Sequence, residues 1–245
     1  MVRSSKGADV VGALERSEVA VGNFDDSRSI ADALDSVDRA FLLTNSSEQA
    51  EAQQAGFVDV ARRVGVKHIV KLSQWAADPD SPVRFLRYHA AVERRIQESG
   101  MAYTFLRPNL FMQGLLTFRE PILAQGKFFA AAGKAKISAV DVRDIAAVAV
   151  AALTGEGHAG RTYDLTGPES LTHAEMAKKL SNALGRPIEY IDVPPEAMMM
   201  ESLLTIGLPR WQAEGLIEDY AITGEERRQA SLLGPGYDRG TAPLI

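Results

Sequence analysis

Cysteine is absent from all 245 residues, which excludes a disulfide framework, thiolate zinc sites and cysteine nucleophiles. No run approaches the about eighteen apolar residues that a membrane-spanning helix needs. Met1 is followed by polar residues rather than an apolar signal core, so the chain reads as cytoplasmic. The net charge is −5. Lys and Arg are scattered rather than striped, which leaves no footprint for nucleic acid or an anionic membrane. Neither a Gly-x-Ser-x-Gly elbow nor a Walker loop occurs, so nothing points to a hydrolase or an NTPase. His68, His158 and His173 stand too far apart in sequence to suggest a metal site, and none is expected. A small molecule remains the default partner.

With 46% hydrophobic and 24% charged residues, the composition is that of an ordinary globular protein. Short apolar runs at Glu18–Gly22, Arg39–Asn45, Val66–Ser73 and Met101–Arg107 read as buried parallel strands. Between them, Ser27–Val37, Gln49–Val64 and Val83–Ser99 carry apolar residues at helical spacing. The last of these puts Phe85, His89, Val92 and Ile96 on one stripe. A further helix runs from Val142 to about Leu153, with Asp141 as N-cap and Gly155 past its end. A strand at Thr162–Leu165 follows, and then a Thr172/Glu175 capping box opens a helix that stops at Gly185. Alternating strands and helices predict a parallel sheet covered on both faces.

The alternation weakens after Pro187. A short strand at Ile188–Val193 leads into a Met-rich stretch, Met198 to Met200 with Leu203, Leu204 and Trp211, that suits either a pocket cover or plain core. The expected organisation is a core over residues 1–165 and a smaller lobe over residues 166–245, packed together as one unit.

A glycine-rich loop after a first strand, the usual cradle for a pyrophosphate, is missing from the start. Gly234, Gly236 and Gly240 follow no strand and do not replace it. The order of segments nevertheless resembles that of the NmrA-like, atypical short-chain dehydrogenase/reductases. Val2-Arg3-Ser4 looks like the end of the family's second strand, Gly22-Asn23-Phe24-Asp25-Asp26 like its acidic turn, and Phe41-Leu42-Leu43-Thr44-Asn45 like the strand end beside the adenosine and pyrophosphate. Val66 to Ser73, Tyr103 to Gln113 and Val140 to Ala146 follow in family-like order.

The resemblance implies a Rossmann-like, doubly wound parallel sheet, N-terminally truncated by about thirty residues, with a C-terminal substrate lobe. It implies NADP as cofactor, with NAD open, because Arg3 would face a ribose 2′-phosphate. Phe24 and Asp25 would then meet adenine, Thr44 and Asn45 the cofactor at the strand ends, and Leu110, Phe111, Met112 and Gln113 the nicotinamide pocket. From the residues alone, Phe111 and Met112 suit core equally well, and Asp26 suits a helix cap.

The Tyr-x-x-x-Lys pair of ordinary short-chain dehydrogenases is not present, since Val92 stands where Tyr88 would need its lysine. Reductase branches of the family place a lysine where His89 falls, so His89 is one catalytic candidate and the strand-end Lys71 a second. The expected function is an NADP(H)-dependent oxidoreductase acting on a small quinone- or carbonyl-type acceptor. The alternatives are a non-catalytic NAD(P) sensor with a regulatory protein partner, or a domain without cofactor affinity. A homodimer is open as well, since a missing central strand would expose sheet edges.

Overall fold

The computed structural model describes residue 1 and residues 17–193, 199–205 and 207–219. The described residues of Met1–Asn109 and Val140–Thr166 form one compact unit, and those of Leu110–Ala139 and Gly167–Ile245 form another.

The first unit is built on a four-stranded parallel sheet of β1 (Arg39–Leu42), β2 (His68–Leu72), β3 (Ala102–Pro108) and, later in the chain, β6 (Arg161–Leu165). Spatial order is β1-β2-β3-β6, with Ile69 opposite Tyr103 and Val70 opposite Thr104. Helix α1 (Ser27–Ala33) precedes β1, while α2 (Ala50–Val64) and α3 (Arg84–Glu98) link β1 to β2 and β2 to β3. Their apolar faces meet Ala40, Leu42, Ile69 and Phe105 on one side of the sheet. Helix α5 (Val142–Thr154) lays Ala149 and Ala152 against Val70 and Leu106 on the other. The period-two alternation of each strand thus feeds two cores, and each fully buried Ile, Val, Leu or Phe contributes about 1.5–3 kcal/mol.

The ends of these helices follow their capping residues. Asp26 caps α1 by accepting from the Arg28 N–H at 2.9 Å, and Asp141 caps α5 by accepting from the Arg143 N–H at 2.8 Å. The Arg39 guanidinium donates to the carbonyls of Leu153 and Gly155 at 2.8 and 2.9 Å, pinning the negative end of α5 beside β1. Of Glu18–Gly22, expected as a strand, only Val21 takes part in a β-bridge.

The second unit contains a 3₁₀ turn (Met112–Phe118), α4 (Arg119–Gln125), β4 (Lys127–Ala130), β5 (Lys136–Ile137), β7 (Leu171–Thr172), α6 (His173–Leu184), β8 (Glu189–Asp192) and α7 (Met199–Thr205). Residues 210–219 are also helical. Strand β4 pairs in parallel with β8, and β5 antiparallel with β7. The Thr172–Glu175 capping box forms as expected, and α6 ends in a left-handed Gly185. Ile122, Phe128, Ala177 and Ile188 make its larger core. No described helix is long and apolar enough to cross a membrane.

Gly167 lies where a side chain cannot, because a Cβ there would stand 2.0 Å from the Ala139 carbonyl oxygen. Gly167→Ala must displace backbone and is expected to destabilise the chain by about 1–3 kcal/mol. The midpoint of urea unfolding reads this loss, and an unchanged midpoint would refute the tight approach.

Candidate functional site

In an open parallel sheet, ligands bind outside the carboxyl ends of the strands. The loop after β1 carries Thr44, half-buried, and Asn45, exposed, at that end of the first unit. The turn at Gly22–Asp26 comes to the same end because two neighbouring side chains of α2 hold both segments. Gln53 donates to Asp25 Oδ1 at 3.0 Å, and Gln54 donates to Thr44 Oγ1 at 2.7 Å. One turn further along α2, Phe57 packs on Phe24 with ring centroids 5.7 Å apart. Gly22 must be glycine, since a Cβ would lie 2.6 Å from the Ser29 side chain that ties the turn. Ser46, next on the loop, shares a 2.9 Å hydrogen bond with the Tyr88 hydroxyl of α3.

Beneath this rim lies a buried polar cluster. Lys71 is fully buried; its ammonium donates to the Leu72 carbonyl at 3.0 Å and meets His89 Nδ1 at 2.8 Å. Burial lowers the Lys71 pKa to about 7, with Glu93 opposing the shift and Arg107 adding to it. Burial, then the Lys71 and Arg107 charges, hold His89 well below the ordinary imidazole value. A neutral His89 accepting at Nδ1 carries its proton on Nε2. Glu93, 5% exposed, accepts from Ser73 at 2.5 Å and takes the Arg107 guanidinium on both oxygens, at 3.0 and 2.5 Å.

Lys71 and His89, nominated separately from sequence, are therefore direct partners inside the sheet–helix layer. Glu93 and Arg107 were not nominated. The signal was present, since Glu93 stands four residues after His89 on an otherwise apolar helix stripe. Gln53 and Gln54 were also missed, because nothing in a helix-forming glutamine pair announces which loops it will grip.

Leu110, Phe111, Met112 and Gln113 belong to the second unit. Leu110 packs on the cluster of Ile137, Ala139 and Met176. Phe111 and Met112 are 37% and 39% exposed, apolar surface of the kind a flat aromatic ligand covers. Arg3 and Met198 lie outside the described residues. Among the described residues no group of His, Asp and Glu could hold a metal ion.

The residues present fit a dinucleotide: an aromatic and a carboxylate on the Gly22–Asp26 turn, hydroxyl and amide groups at the end of β1, and a half-satisfied amide at Gln54 whose buried Oε1 has no hydrogen bond among the described residues. Fold and site together define a Rossmann-like nucleotide-binding α/β protein. The NmrA-like family matches residues 1–232, and the chain belongs to that family. It is 38% identical over 205 residues to the NAD(P)H azoreductase of Xenophilus azovorans, covering 84% of this chain and 71% of that protein. It is 39% identical over 181 residues to the (4-alkanoyl-5-oxo-2,5-dihydrofuran-3-yl)methyl phosphate reductase of Streptomyces griseus, covering 74% of this chain and 64% of that one. The structure of the NADPH-dependent quinone oxidoreductase of Escherichia coli complexed with NADPH superimposes with a TM-score of 0.82 at 27% identity, covering 92% of this chain and 79% of that chain.

The buried lysine makes stability depend on pH. The folded chain gives up the Lys71 proton near pH 7, whereas an unfolded lysine keeps it to its ordinary 10.5. The unfolded state binds more protons in between, so stability rises with pH across that interval. Urea midpoints at about pH 7 and about pH 9 should show the rise in the wild type and lose it in Lys71→Met; equal slopes in the two proteins would place the titration elsewhere.

Proposed function

We propose that the chain is an NADP(H)-dependent oxidoreductase that reduces a small quinone-, azo- or carbonyl-type acceptor. The observation that carries the reading is the rim at the carboxyl ends of the strands, where α2 holds the Gly22–Asp26 turn and the Thr44–Asn45 loop as one surface. Support also comes from what the similar proteins are named for: NAD(P)H-dependent azo reduction, NADPH-dependent quinone reduction, and reduction of a dihydrofuranyl methyl phosphate.

In this reading Phe24 offers a face to adenine, Asp25 a hydrogen-bond acceptor, and Thr44 and Asn45 polar contacts along the dinucleotide. Arg3 pairs with the 2′-phosphate, which an unmodified ribose does not offer. Leu110, Phe111, Met112 and Gln113 supply walls for the nicotinamide and the acceptor. The bound cofactor supplies the hydride chemistry. The protein's part is orientation, exclusion of water and control of a proton. Lys71 Nζ and His89 Nδ1, 2.8 Å apart, hold that proton close to neutrality beneath the rim. A cofactor sensor without turnover is the second reading. It is favoured by the sequence of the helix, which carries Val92 where the Tyr-x-x-x-Lys pattern starting at Tyr88 would have its lysine.

Acceptor-dependent loss of NADPH absorbance with a quinone or an azo dye tests the proposal. Turnover is expected, with NADPH preferred over NADH. In Arg3→Ala the affinity for NADPH, but not NADH, should fall roughly tenfold, the worth of one charge-assisted hydrogen bond. NADPH binding without consumption by any acceptor would favour the sensor.

A further inference from the structure

We infer that Gln54 is a positioning residue that makes the Thr44 hydroxyl a hydrogen-bond donor toward the bound dinucleotide, an inference that rests on the NADP(H) reading. Gln54 is 2% exposed on the inner side of α2, behind the loop that follows β1. Its amide donates to Thr44 Oγ1 at 2.7 Å. A hydroxyl oxygen that accepts from an amide N–H keeps its own hydrogen for another acceptor. Thr44 is half-buried at the carboxyl end of the strand, so that hydrogen is available at the rim. A pyrophosphate or ribose oxygen, or a ring nitrogen of the adenine, has the chemistry to receive it.

A second, independent observation points the same way. The other arm of the amide, Gln54 Oε1, is buried and receives no hydrogen bond among the described residues. A buried acceptor left unsatisfied lowers the stability of the folded chain, whereas an apolar side chain of the same shape in that place does not. For the folded chain, the return on that cost is the single bond to Thr44. The benefit lies at the Thr44 end, where the N–H sets the direction of a rim hydroxyl. The neighbouring Gln53 acts on Asp25 in the same manner, but in exposed surroundings where water competes.

The test is a double-mutant cycle of Gln54→Leu, Thr44→Val and the combined variant, read by NADPH titration calorimetry and by thermal melting. Gln54→Leu should weaken NADPH binding about tenfold while leaving the melting temperature unchanged or raised. Thr44→Val should weaken binding by a similar factor, and the combined variant should be no worse than either single change, because Gln54 acts through Thr44. A lowered melting temperature with unchanged affinity would make Gln54 a structural residue and overturn the inference, as would additive losses of affinity in the cycle. A wild-type chain that binds no NADPH sinks the oxidoreductase reading itself. It removes the dinucleotide that Thr44 would address and overturns the positioning role with it, whereas intact wild-type binding with an unaffected Gln54→Leu affinity overturns the positioning role alone.

Discussion

A carboxylate that is almost wholly out of water must be met by positive charge and hydrogen-bond donors, and Glu93 sets that condition at the centre of the first unit. The Arg107 fork from β3 and the Ser73 hydroxyl from the end of β2 both close on it, so one helix and two strands are held in a single relative placement. Apolar packing between α3 and the sheet would tolerate small slides. A bidentate guanidinium–carboxylate pair does not, because its geometry is directional. Lys71 and His89 sit in the same layer and inherit its electrostatics. Glu93 favours the charged lysine, Arg107 and burial oppose it, and the balance falls near neutrality.

That rigid layer supports a softer one above it. The rim segments Gly22–Asp26 and Thr44–Ser46 are loops, with little backbone pairing of their own, and each is tethered by side chains from helices. Gln53, Gln54 and Phe57 reach them from α2, and Tyr88 reaches Ser46 from α3. Orientation of polar groups at the strand ends thus derives from helix surfaces that are themselves fixed by the buried core, a division of labour suited to binding an extended nucleotide.

The second unit is built differently. Its strands are short, its pairings mix parallel and antiparallel, and its core is made of aromatic contacts around Phe128, with Phe118 and Tyr190 both within 6 Å by ring centroid. The single Tyr190 hydroxyl hydrogen is shared between the Ala130 carbonyl at 2.9 Å and Asp192 Oδ1 at 2.7 Å, and the Ala130 contact ties β8 to β4 by side chain as well as backbone.

Periodicity in the sequence was enough to determine the parallel strands β1, β2, β3 and β6, the helices α1, α2, α3, α5 and α6, and the caps at Asp26, Asp141 and Thr172, because each is a local pattern whose physics acts within a few residues. Segment order was enough to identify the family. Residues 112–137 were not legible as a 3₁₀ turn, a helix and two short strands, since elements of two to seven residues have too few repeats to carry a period, and β4 and β5 exist through partners some 35 to 60 residues away. The site divided the same way. Thr44 and Asn45 could be marked from their place after a strand, Lys71 from its place at a strand end, and Asp25 and His89 with the help of the family resemblance. That Lys71 touches His89, that Glu93 and Arg107 close the cluster, and that Gln54 donates to Thr44 were decided by tertiary structure alone, because hydrogen bonds between side chains 10 to 18 residues apart depend on how a helix is rotated against its sheet.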